Sequence, residues 1–94
     1  MKKYELMFIV SPNLSNEETQ EVISTVENVF SNYEGKILEK KELGLKDLAY
    51  EINKFRKGYY VLFNVETTGE AVKEYERVCR INDNIIRFIS VKDE

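Results

Sequence analysis

Lys54, Arg56 and Lys57 stand around Phe55 within four residues. Long cationic side chains grouped in this way can contact successive phosphates of a nucleic-acid backbone while the ring packs on a base or sugar. The same run also describes an ordinary solvated loop. Arg80, Arg87 and Lys92 form a second cationic group. Arg87 is the most pointed of these, because an arginine inside a strand must reach an uncovered sheet face or be paired. Other chemistry is poorly supplied. Cys79 falls at an apolar helical position with only Arg80 beside it to favour a thiolate, which reads as a small core residue. Glu17, Glu18 and Glu21 sit where the first turns of a helix favour negative charge, and a solvated face accounts for them.

The composition narrows the classes further. The chain has 94 residues, 43% hydrophobic and 33% charged, with one Pro and four Gly, which suits a single packed domain with one modest core. Histidine is absent and cysteine occurs once, so common zinc ligand sets, Ser-His and Cys-His nucleophiles and an intrachain disulfide are not expected. No cofactor or metal is expected. Met1-Lys2-Lys3 opens like a signal-peptide n-region, but Glu5 interrupts the apolar stretch, which ends at Ser11-Pro12-Asn13; the start reads as cytosolic, with no membrane-spanning run. The net charge is −3, against a protein that grips nucleic acid alone. The charge is uneven, however: −4 over residues 1–35, +3 over 36–60 and −2 over 61–94.

Hydrophobic periodicity predicts the elements that position these residues. Residues 3–11 are β-branched and aromatic and end at Pro12, as a strand does. Ser15 and Glu18 have capping-box spacing, and Val22, Ile23, Val26, Val29, Phe30 and Tyr33 follow at helical period, giving a helix over 16–33. Gly35 lies just past its end, where a left-handed residue is expected. Residues 36–52 form one long strand with a bulge at Gly44, 53–58 a turn, and 59–66 the returning strand. Thr67 and Glu70 repeat the capping-box spacing before a helix over 69–80; 81–84 is a turn and 85–92 a last strand.

The order βαββαβ is the split-βαβ, ferredoxin-like pattern of the α+β class: a four-stranded antiparallel sheet with both helices on one face and the other face open to dock a partner. Lys57-Gly58-Tyr59-Tyr60-Val61-Leu62-Phe63 partly echoes the aromatic motif of RNA-recognition domains. Tyr60 and Val61 break the motif, and a plain hydrophobic strand explains the run.

The run from Glu42 to Lys54 places Gly44, then Leu48-Ala49-Tyr50, then Ile52 and Lys54 at a spacing that resembles the bacterial ribosomal small-subunit protein six family. Tyr4-Glu5, Pro12, Gly58-Tyr59, Arg80-Ile81, Asp83-Asn84, Arg87 and Val91-Lys92 also resemble the family pattern, so the likeness covers nearly the whole chain. It implies a non-enzymatic, cytoplasmic, ribosome-associated protein. Such a protein would bind the central domain of small-subunit ribosomal RNA together with ribosomal small-subunit protein eighteen, a basic partner that supplies the positive charge this chain lacks. By the same resemblance Tyr4, Lys54, Arg80, Arg87 and Lys92 are RNA-side candidates, while Gly44, Leu48, Ala49 and Tyr50 are structural or belong to the partner surface. Asp47 departs from the pattern, standing where the family commonly carries a basic residue. Because one fold hosts many functions, two other classes stand beside this one: a small-molecule-binding or acyl-phosphate-hydrolysing domain, and a self-associating regulatory module. Ser11-Pro12-Asn13-Leu14 offers no glycine-rich anion loop for the former.

Overall fold

Alternation along the first strand decides which side of the sheet becomes the core. In the computed structural model, which describes residues 1–52 and 54–93, β1 (Lys2–Val10) buries Leu6, Phe8 and Val10 completely against the helices. Met7 and Ile9 therefore point to the opposite face, as a period of two requires. The remaining elements are α1 (Asn16–Asn32), β2 (Lys36–Ile52), β3 (Phe55–Thr67), α2 (Gly69–Ile81) and β4 (Ile85–Asp93). The sheet is antiparallel in the order β2-β3-β1-β4, the expected ferredoxin-like topology.

The helices take the stripes read from the sequence. At the start of α1, Ser15 Oγ accepts from the Glu18 backbone N–H at 3.2 Å and Glu18 Oε1 accepts from the Ser15 N–H at 3.1 Å, so the capping box forms. Val22, Ile23, Val26, Val29 and Phe30 are buried on α1, and Ala71, Val72, Tyr75 and Cys79 on α2. Tyr75 lies among Phe8, Phe30 and Phe88 and its hydroxyl donates toward the Met7 and Ile89 carbonyls, each at 3.2 Å, tying α2 to β1 and β4.

Three local expectations are corrected. The left-handed residue after α1 is Glu34, with φ 58°, whereas Gly35 is needed for close approach: a Cβ there would lie 2.7 Å from Thr67 Oγ1. The cap of α2 is Thr68, whose hydroxyl accepts from the Ala71 N–H at 3.2 Å; Thr67 still belongs to β3, paired with Lys2, and its buried hydroxyl has no partner among the described residues. Finally, β3 begins at Phe55, four residues before the expected strand, because Ile52 already pairs with Phe55. With Ile52 paired to Phe55 the strands reverse direction there, and Lys54 takes φ 70°. Asn53, read as part of that turn, lies outside the described residues.

Candidate nucleic-acid interface

The hairpin joining β2 and β3 is longer than the sheet it belongs to, and its register explains its shape. Pairing between β2 and β3 shifts at Ile37/Glu39 and again at Glu42/Gly44, where Gly44 takes φ +84°, the bulge expected at this glycine. A larger shift follows. Asp47 pairs with Lys57 and Ile52 with Phe55, so four residues of β2 stand opposite the single residue Arg56. The surplus segment, 48–51, leaves the ladder and folds over the sheet face away from the helices. Leu48 settles beside Ile9 and Gly58, whose missing side chain leaves room for both. Tyr50 reaches β4, where Arg87 Nη1 donates to its hydroxyl at 2.6 Å and the guanidinium sits 5.6 Å from its ring centroid.

Beyond this overlay the hairpin carries its cations to one end of the molecule. Lys54, Phe55, Arg56 and Lys57 line an open cleft with Pro12 and Asn13, the residues that follow β1. Phe55 is half-buried there, while the three cations are exposed. The ion pairs among the described residues, Lys40 with Glu27, Lys41 with Glu39 and Arg77 with Glu74, use none of them. Lys46, paired with Gly58, adds a fourth exposed cation nearby. Farther back on β2, Glu42 accepts from Gln20 at 2.8 Å and from the Tyr59 hydroxyl at 2.9 Å. Those hydrogen bonds, Gln20 first, hold its carboxyl below the usual range. Glu42 is thereby tied to α1 and the base of the hairpin.

The sequence-predicted residues fall into two groups. Lys54, at the hairpin tip, Arg80, in the last turn of α2 with its guanidinium 6.0 Å from the Phe88 ring centroid, and Arg87, paired with Ile9, lie toward the same end. Tyr4 and Lys92 face each other across β1 and β4 toward the other end, five residues or about 17 Å along β1 from Ile9. Gly44, Leu48, Ala49 and Tyr50 all lie on the irregular limb of β2, Leu48 and Tyr50 over the sheet face and Ala49 exposed.

The face expected to be open is thus partly overlaid by the chain itself, the four-residue surplus in β2 being the cause. What remains uncovered includes an apolar strip, with Met7, Tyr60 and Leu62 half-exposed and Ile89 and Val91 46% and 54% exposed, bordered on the same face by Glu5 and Asn64. These residues were missing from the sequence-predicted partner surface. The alternation of Leu6, Phe8 and Val10 with Met7 and Ile9 is readable in the sequence, but only the register shows which half faces outward. Arg56 and Lys57, part of the cationic run in the sequence but outside the matched family positions, lie in the same cleft as Lys54.

The aromatic-motif reading of β3 loses its support here. Val61, Phe63 and Val65 are fully buried against the helices, so of the aromatic run on β3 only Tyr60 lies on the uncovered face. The apolar hollow formed by Met7, Ile9, Arg87, Phe88 and Ile89 on the uncovered face holds about 70 Å³, while the larger clefts, about 570 Å³ along α1 and about 600 Å³ at the hairpin tip, lie open on the surface. Cys79 is 1% exposed, and burial pushes its thiol up to about 12, an unreactive core residue as expected.

Comparison with known proteins places this geometry in context. Residues 3–92 match the family model described as Ribosomal protein S6. The chain is 52% identical over 93 residues to small ribosomal subunit protein bS6 of Phytoplasma australiense, covering 99% of this chain and 100% of that one. It is 50% identical to the protein of the same name from Acholeplasma laidlawii, covering 99% and 98%. Among solved structures, the crystal structure of 30S ribosomal protein S6 from Thermotoga maritima superposes with a TM-score of 0.92 at 31% identity, over 98% of this chain and 87% of that one.

Proposed function

Because the chain belongs to the ribosomal protein S6 family, a family of non-enzymatic constituents of the small ribosomal subunit, we propose that it binds the central domain of small-subunit ribosomal RNA through the hairpin end of its sheet. The observation that carries this reading is the gathering of Lys54, Arg56 and Lys57 around a cleft that also holds the half-buried Phe55, with Lys46 on the adjoining strand, none of the four in an ion pair among the described residues. Phosphates supply the matching charge, and the ring offers a surface for a base or sugar. Arg80 adds to the same end, while Tyr4 and Lys92 make a second, separate contact at the other. The protein partner is ribosomal small-subunit protein eighteen, which docks on the uncovered apolar strip of Met7, Leu62, Ile89 and Val91. A chain of net charge −3 gains little from RNA alone, so joining a basic partner first adds the missing cations and couples the two events.

Titrating a transcript of the central domain with this protein, with and without the partner, at several salt concentrations tests the reading. The partner should tighten binding about 5- to 150-fold, the usual range of such coupling. Replacing Arg56 and Lys57 together by Ala should flatten the dependence of log K on log salt by roughly 0.7–0.9 per lost phosphate contact. Equal affinity in both arms, together with an unchanged slope, defeats it.

A further inference from the structure

Tyr50 is 60% exposed, so burial of its ring does little to hold it. What it has is Arg87, a residue 37 positions later in the chain, which donates a 2.6 Å hydrogen bond to its hydroxyl with the guanidinium carbon 5.6 Å from the ring centroid. The two lie at opposite sides of the sheet: β2 is one edge strand and β4 the other, with β3 and β1 between. Tyr50 spans that width because 48–51 have no residue-for-residue partners on β3. The same surplus leads directly into the tip that carries Lys54, Arg56 and Lys57. A segment outside the ladder has few restraints, and these two, Leu48 against Ile9 and Gly58 and Tyr50 against Arg87, set the direction in which the tip leaves the sheet.

From this we infer that Arg87 is a positioning residue: it clasps Tyr50 and so fixes the cationic hairpin arm for RNA, rather than acting as a phosphate ligand itself. Arginine suits the task, since its fork of donors can hold the hydroxyl while its delocalised charge stays within reach of the ring, whereas lysine offers only a point charge. A clasped arm presents its cations already ordered. Releasing it leaves each of several long side chains and their backbone to be immobilised at binding. The RNA part of this inference rests on the proposed function; the clasp itself does not.

The experiment compares wild type, Arg87→Ala, Arg87→Lys and Tyr50→Leu in two measurements. In the free protein, amide exchange across residues 48–57 should rise at least about 5-fold in Arg87→Ala and Tyr50→Leu, with β1 and α1 amides unchanged as evidence of intact folding. In RNA titrations with the partner present, both variants should bind about 3- to 10-fold more weakly with an unchanged salt slope, although Tyr50 carries no charge, and the affinity of Arg87→Lys should follow its arm exchange rather than its retained charge. If Arg87→Ala flattens the slope by roughly 0.7–0.9 while arm exchange stays at the wild-type level, Arg87 is a phosphate ligand and the clasp is wrong. Unchanged exchange in Tyr50→Leu overturns it equally. Should wild type not bind the transcript at all, the proposed function falls, and the exchange data alone still decide the clasp.

Discussion

Gly58 is the floor on which the hairpin arm rests, and adding one methyl group there should disturb both the arm and the sheet. A Cβ built at Gly58 overlaps the Ile9 Cγ2 methyl and lies 3.6 Å from Leu48 Cδ2. Ile9 is only 7% exposed and belongs to the central strand β1, so it cannot step aside without moving its neighbours. Overpacking of this kind typically costs about 1–3 kcal/mol. With an unfolding entropy of roughly 0.2 kcal/mol per kelvin for a chain of this size, Gly58→Ala should lower Tm by about 5–15 °C. Thermal unfolding followed by circular dichroism measures it. The mechanism is specific enough for a double-mutant cycle: Ile9→Ala removes the obstructing methyl, and the pair should be less destabilised than the sum of the singles by about 1 kcal/mol or more. A Gly58→Ala protein within 2 °C or so of wild type, or an additive pair, refutes the close-approach argument.

Two further outcomes follow from buried polar groups. Thr67→Val should stabilise the fold by about 1 kcal/mol, because it replaces a buried hydroxyl that has no partner among the described residues with a methyl of similar volume, whereas Thr68→Ala should cost about 1 kcal/mol by removing the α2 cap; urea denaturation of the two variants should give opposite signs. Burial raises the Cys79 thiol in the folded state from near 9 to about 12, so the unfolded chain loses its proton first, and stability should fall as pH rises from about 9 toward 12. The loss from this group is on the order of 2 kcal/mol by about pH 10.5, at ~1.4 kcal/mol per pH unit. The decline should be shallower in Cys79→Ala; parallel pH curves for the two proteins would show that the thiol is not its cause.

The elements were legible in the sequence where one strong signal acted alone. β2 begins and ends at the residues expected, bounded by Gly35 and the chain reversal, and the Ser15–Glu18 box forms as its spacing implies. Errors arose where two signals competed for neighbouring residues. Thr67 and Thr68 both suit a helix cap, and the pairing of Thr67 with Lys2, which no local spacing reveals, hands the task to Thr68. Gly35 and Glu34 exchanged roles for a similar reason, since the crowding by Thr67 comes from another strand. The candidate site was half legible. The basic run at the hairpin tip could be read directly, but the departure of 48–51 from the ladder depends on a mismatch of four residues against one. Its consequence, a tyrosine on β2 touching an arginine on β4, has no sequence signature.

Strand order also governs how this chain can be made. β1 is synthesised first and pairs on one side with β3, yet its other side waits for β4, the last element in the sequence. At translation speeds of ~5–20 residues per second, each nascent copy passes through a period in which three strands are available and the far side of β1, with Leu6, Phe8 and Val10 along it, lacks its neighbour. A bare strand edge is a template for mispairing between chains, so crowded polysomes are where this topology is most exposed to error, and rapid arrival of residues 85–93 is what ends the exposure.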